Sequence, residues 1–267
     1  VNSFVSGLLT RVSCRHFLPT PPPNGTLELL VGAAQSAPTS GMLQTWSVIS
    51  LNAEDKAKLF STDLNKKILG GVDSHNFAAI ETSQIFLIWL ADLNRTNFIL
   101  QNTSAKPEIR LQVNKAEFNL KAIIDASIAA QTLFMTAESM GLAGTYMGAI
   151  RQLPATFLRD TFNLPLYTMP LFATAHGYPD EAYQAKVLNG IASREPKARL
   201  GQELILHHST YRPMHSLEQL SEYNKVHRTV TRREVSTFES RVIERLEPSR
   251  GKGQTGDFLK QMGFNFD

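Results

Sequence analysis

Along the chain the spacing of apolar residues changes period several times, and each change predicts an element. Leu27, Leu30, Val31 and Ala34 recur at helical spacing, with Thr26 placed to cap that helix and Pro38 to stop it. Ahead of them, Pro21, Pro22 and Pro23 fix an extended path that Asn24 and Gly25 turn. Trp46, Val48 and Leu51 fit a strand. Asn52, with Asp55 three residues on, starts a helix that runs to about Ile68. The run Ile85–Ala91 (IFLIWLA) is short and continuously apolar, which predicts a central strand buried on both faces. Residues 94–113 read as a polar connection. A long helix follows from Asn114 to Met140, stopped by Gly141. Its second half, from Ile123 to Met135, is apolar nearly all round, as in a helix buried mid-protein or in an oligomer interface. Leu142–Ile150 reads as a glycine-spaced strand, Pro154 opens a short helix ending near Leu164, and Leu171–His176 is another strand. Residues 180–203 read as a long loop. Ser216 and Gln219 make a capping box for a charged helix to about Leu246, and residues 248–256 read as a linker.

Few strands separated by helices, with no G-x-G-x-x-G after the first, favour an α+β layer over a dinucleotide-binding α/β fold. Gly141, Gly144 and Gly148 have the wrong spacing for the latter. At 42% apolar and 19% charged, the 267 residues are those of a globular protein with a sizeable core, which excludes a disordered tail, a fibre or a coiled coil. The net charge of +3 is too mild to point to nucleic acid. The arginine run Arg228, Arg232, Arg233, Arg241 and Arg245 is interleaved with Glu234, Glu239 and Glu244, the pattern of a solvated helix face. The single cysteine excludes a disulfide framework and a multi-cysteine metal site, and it suits the reducing cytoplasm. The longest purely apolar run is a third of the roughly twenty residues a spanning helix needs, so no membrane span is expected.

Several arrangements that look chemical in letters carry little. There is no G-x-S-x-G elbow. His207 and His208 are adjacent and on a strand would point to opposite faces. Asp73-Ser74-His75 has the letters of a triad, but triad members are seldom sequence neighbours. Cys14 reads as a small packed side chain. Four small clusters remain. In an extended segment Arg11, Ser13 and Arg15 project to one side, where two guanidiniums flanking a hydroxyl suit an anion beside a hydrogen-bonding ring. Thr39, Ser40 and Gln44 lie in a helix-terminating loop. Gly144 to Arg151 is a glycine-spaced stretch on which a flat ligand can approach backbone N–H groups. Lys197 and Arg199 are two cations in a loop.

The order R-x-S-x-R-x-F, A-P-T-S with Q-x-W, A-E-S-x-G-L-x-G-x-Y-x-G-x-x-R, G-Y-P and K-x-R-L over about residues 8–212 resembles the FMN-dependent nitroreductase family. The likeness is strongest to its oxygen-insensitive NADPH nitroreductase and flavin reductase branch, which has a long C-terminal extension. It implies an antiparallel sheet sandwiched by helices, a homodimer, an FMN-binding domain over 1–212 and an extension over 213–267. It also implies NAD(P)H as co-substrate and small-molecule electron acceptors: nitroaromatics, quinones or flavins. A flavin-binding sensor or carrier without turnover is the alternative. By the resemblance Arg11 and Ser13 contact the ribityl phosphate region, Arg15 the pyrimidine edge, and Lys197 and Arg199 the phosphate. Thr39, Ser40 and Gln44 come from the second subunit. Tyr146, Gly148 and Ala149 border the isoalloxazine, with a backbone N–H towards N5, and Asn76 is the amide that reads the ring. The family's K-P-R-L-P is K-A-R-L-G here, so both prolines of that loop are lost. Arg151 and the arginines of 228–233 point to NADPH over NADH.

Overall fold

A computed structural model describes residues 2–71, 74–113, 115–183, 196–231, 237–247, 255–264 and 266, with 228–231 and 255 described by backbone alone. The chain forms two compact units, Ser13–Gly190 with Gln254–Asp267, and Val1–Val12 with Ile191–Gly253.

The larger unit is built on a four-stranded antiparallel sheet. Its strands are β1 (Trp46–Ser50), β2 (Ile85–Asp92), β3 (Ala143–Met147) and β4 (Thr168–Gly177), in the order β1-β2-β4-β3. Every residue of β2 is buried, as its unbroken apolar run predicts. Period-two alternation splits it between two cores. Ile85, Leu87 and Trp89 pack with Leu30, Ala129, Leu133 and Ala137 on one face. Phe86, Ile88 and Leu90 pack with Leu51, Leu69, Ile80, Leu158 and Phe264 on the other. Helices therefore cover both faces, the α+β sandwich expected. Burying a side chain of this size contributes about 1.5–3 kcal/mol, and the Trp89 indole N–H is satisfied by Thr174 Oγ1 at 3.0 Å.

Among the described residues seven helices precede the long one. They are α1 (Ser3–Thr10), α2 (Thr26–Gln35), α3 (Ala53–Lys58), α4 (Asp63–Leu69), α5 (His75–Thr82), α6 (Asn94–Gln101) and α7 (Pro107–Arg110). The expected cap Thr26 is instead the first residue of α2, buried, and Gly25 holds the cap position at φ +83°. The helix expected to run to Ile68 is two. Asn52 caps α3 as predicted, but Thr62 accepts the Asn65 N–H and starts α4 afresh. The expected polar connection over 94–113 contains α6 and α7. Asp92 Oδ1 accepts the Asn94 N–H at 3.0 Å, and Pro107 stands in the first turn of α7.

The long helix α8 (Ala116–Ser139) lies against the sheet and α2. Gly141, at φ +81°, ends it. The Leu142 N–H reaches Ala137 O at 3.0 Å and the Gly141 N–H reaches Glu138 O at 3.1 Å, the paired bonds of a Schellman stop. Among the described residues α8 alone has the length and hydropathy of a membrane span. It serves here as a core helix whose buried residues include Asn119 and Asp125. The strand expected over 142–150 ends at Met147 and passes into a 3-10 turn, Gly148–Gln152, before α9 (Ala155–Phe162).

In the smaller unit the capping box of Ser216 and Gln219 opens a 3-10 turn that leads into α10 (Ser221–Thr231). A second box at Thr237 starts α11 (Phe238–Leu246), so the single charged helix expected there is divided. The last helix, α12 (Thr255–Gln261), belongs to the larger unit, where Phe264 is fully buried. Much of the loop over 180–203 and of the linker over 248–256 lies outside the described residues, as do Asp73, Arg232 and Arg233.

Candidate functional site

The outer edge of β3 is where the Ser13–Arg15 part of the first cluster meets the third. The Cys14 N–H donates to Gly144 O at 2.9 Å, and Phe17 bridges to Pro179, so residues 13–17 run along the end of the sheet. Cys14 is fully buried with its thiol on His16 O, the packed side chain expected, and Ser13 and Arg15 on either side of it are less buried. A Gly144 carbonyl that accepts from this segment points away from β4. Alternation then turns the Tyr146 backbone to the same open edge. A Cβ at Gly144 would stand 2.7 Å from His176 Nδ1 and 2.9 Å from Ala175 O, so only glycine fits beside that imidazole. The Tyr146 ring stacks on Phe134, centroids 4.9 Å apart, and its hydroxyl bonds Gln131 Oε1 at 3.1 Å. Gly148 is exposed at the strand's end and Ala149 is half-buried.

Asn76 sits in the first turn of α5 with its amide donating to Leu69 O at 3.3 Å. Burial lowers the pKa of His16, and the neighbouring His75 lowers it further against the pull of Asp180. His16 and His75 are thus within electrostatic reach, which brings the Arg15 segment and the start of α5 together. Ser74 is the cap of α5, its hydroxyl bonded to Phe77 N and Leu69 O, which gives it a structural role. Arg151, an exposed residue after the end of β3, donates from its guanidinium to Leu171 O, and desolvation lowers its pKa.

Thr39, Ser40 and Gln44 lie in the loop before β1, at the opposite edge of the sheet. Three strand spacings of about 4.8 Å put roughly 14 Å of sheet between that edge and β3. One copy of the chain therefore holds the two groups apart. The loop is unusual: Gly41, Met42 and Gln44 have φ of +58°, +56° and +52°. It is tied down at both ends. Ser40 N–H and Thr45 Oγ1 donate to the two oxygens of buried Asp125, at 3.0 and 2.7 Å. Arg95 reaches Gln44 O and Trp46 O at 2.7 Å each while pairing with Asp92 at 2.8 Å. Asp125, Asp92 and Arg95 escape the sequence reading, although a carboxylate in the mostly apolar half of α8 marks a buried group that needs donors.

Arg11, Lys197 and Arg199 belong to the smaller unit. Arg11 follows α1 as its C-cap. Lys197 is exposed, and the Arg199 guanidinium folds onto the carbonyls of Lys197 and Ala198 at 2.8 and 3.2 Å. His207 packs on Tyr211. Among the described residues no group of three or more His, Cys, Asp or Glu is placed to hold a metal.

Comparison with known proteins gives the family and the fold. The nitroreductase family profile matches residues 8–178, and that of the family's C-terminal domain matches 197–267. The chain is 26% identical over 274 residues to FMN reductase (NADPH) of Bacillus subtilis, covering 99% of both. It is 29% identical to the oxygen-insensitive NADPH nitroreductase of Salmonella typhimurium, covering 83% of this chain and 82% of that one. Its structure is similar to nitroreductase A of Vibrio parahaemolyticus, with a TM-score of 0.79 at 26% identity over 99% of this chain and 98% of that one.

Proposed function

The chain belongs to the nitroreductase family, and on that premise we propose that it is an NAD(P)H-dependent FMN oxidoreductase. It reduces nitroaromatics, quinones or free flavins two electrons at a time, alternating donor and acceptor in one pocket. The observation that carries this reading is the β3 edge. A glycine-spaced strand turns backbone towards an open side, and the Ser13–Arg15 segment is fastened along it. Such an edge fits FMN: a planar ring needs close backbone approach, and its pyrimidine and phosphate need cations and hydroxyls.

Bound FMN supplies the hydride chemistry, so the chain needs no proton-shuttling triad. The residues bind and orient. Arg15 sets positive charge at the pyrimidine edge, where a fixed guanidinium favours charge gained on reduction. Ser13 and Arg11 meet the ribityl phosphate region, and Lys197 and Arg199 hold the phosphate. Tyr146, Gly148 and Ala149 border the ring, and Asn76 reads its edge. Thr39, Ser40 and Gln44 complete the site from a second copy.

That last assignment makes the enzyme a homodimer. The separation of the two sheet edges within one copy supports it, as does the stripe of Leu120, Ile124 and Ile128 on α8, which are 47%, 52% and 38% exposed. The single cysteine, held as a buried thiol, suits the reducing cytoplasm.

The test is spectroscopic. The purified protein is expected to carry the yellow flavin bands, to lose them with NADPH, and to regain them with a nitroaromatic or a quinone. A protein that takes up no FMN would overturn the proposal. One that binds FMN but never reoxidises with any acceptor would be a carrier.

A further inference from the structure

We propose that Asp125, which touches no ligand itself, is the positioning residue that shapes the Thr39–Gln44 loop for FMN. The inference rests on the FMN reading above. Asp125 is 1% exposed, in the half of α8 where Ala122, Ala126 and Ala129 pack against the sheet. A carboxylate there is costly unless its oxygens are satisfied. Both are satisfied by the same loop: Oδ1 takes the Ser40 N–H and Oδ2 takes the Thr45 hydroxyl. The two donors bracket residues 41–44, three of which sit in the left-handed region, two of them without glycine's freedom. The loop's conformation is therefore imposed from outside. Within it the Thr39 hydroxyl accepts the Gln44 N–H at 3.2 Å, so the three residues assigned to the cofactor move as one body when its ends are fixed. Arg95 holds the Gln44 carbonyl from the other side, which leaves Asp125 to set the Ser40 end.

The experiment follows FMN release after dilution of the full-length holoenzyme, by recovery of flavin fluorescence, with thermal unfolding in parallel. Asp125→Asn keeps the shape and one acceptor, and it is expected to release FMN about tenfold faster. Thr45→Val removes one donor and is expected to release it about threefold faster. Because Thr45 acts through Asp125, the double variant should be no faster than Asp125→Asn alone. A tenfold change corresponds to about 1.4 kcal/mol. Should Asp125→Asn fail to fold, Thr45→Val still decides. Wild-type release rates in the variants, even with lowered melting temperatures, would overturn the inference by reducing Asp125 to a packing role. Effects that multiply in the double variant would overturn it too. A wild-type protein that holds no flavin would instead overturn the FMN reading, and this inference with it.

Discussion

Replacing His176 should flatten the acid side of the stability profile. The residue lies near the end of β4, fully buried, and neither ring nitrogen has a hydrogen-bond partner among the described residues. Burial pushes its pKa from 6.5 to about 3. The sign follows from which state takes the proton. Above pH 6.5 the imidazole is neutral in both states and contributes nothing. Below it the unfolded chain gains a proton that the folded chain refuses, so stability falls until about pH 3, where the loss saturates. At pH 5 the unfolded pKa lies about 1.5 units above the solution pH, and at about 1.36 kcal/mol per unit the loss is about 2 kcal/mol. His176→Leu places a side chain of similar size opposite Gly144 and removes the titration. Urea unfolding at pH 8, 6.5 and 5 with saturating FMN reads the result. The wild type should lose about 2 kcal/mol more than the variant between pH 8 and 5. A pH-independent offset added to that difference would report repacking alone. Parallel profiles would refute the argument, because they would mean that His176 is protonated, or hydrogen-bonded, in the folded protein.

Three more perturbations probe the same edge and its cations. Gly144→Ala drives a methyl against His176 and the fixed Ala175 carbonyl. Overpacking of this kind costs about 2 kcal/mol, a drop of roughly 4–8 °C in melting temperature by calorimetry; an unchanged Tm would mean that the strand yields. Lys197→Ala with Arg199→Ala should weaken FMN binding about a hundredfold in a fluorescence titration; an unaltered dissociation constant would place these cations elsewhere. Arg15→Met should lower the midpoint potential of the bound flavin by roughly 40 mV. That figure follows from about 2 kcal/mol of solvent-reduced attraction at about 4 Å, for a two-electron couple; a potential within a few millivolts of wild type would remove Arg15 from the ring.

How far the fold can be read from the sequence depends on where each element's signal is stored. The run Ile85–Ala91 announces β2 because a strand buried on both faces can hold only apolar residues, and the structure buries all of it. Gly141 announces the end of α8 because its left-handed φ is costly for other residues. The elements that go unread are held by local capping contacts. Thr62 divides the helix after β1, Asp92 starts α6 and Thr237 starts α11, each with one side-chain oxygen on a backbone N–H. A threonine or aspartate in a polar stretch looks the same whether or not it caps, so periodicity passes over it.

The site divides along the same line. The residues offered for the ligand are legible as small clusters because loops carry their chemistry locally: two cations around a serine, hydroxyls after a proline, glycines at a spacing. The residues that hold those loops in place are not, because each of them acts at a distance. Asp125 reaches the loop 85 positions earlier in the chain, and Arg95 reaches the Gln44 carbonyl across 51. Only the fold brings them together, by laying α8 and the β2–α6 turn beside the start of β1. One general rule does single out Asp125 by its neighbours in the chain. A carboxylate among the apolar residues of a core helix must find donors, and the donors nearest a sheet edge are those of a loop whose backbone is not already paired. The loop that needs an outside support is the one with left-handed residues between two polar anchors, Ser40 and Thr45. A helix that covers the sheet with one face and offers Leu120, Ile124 and Ile128 on another thus also fixes the loop at the sheet's far edge.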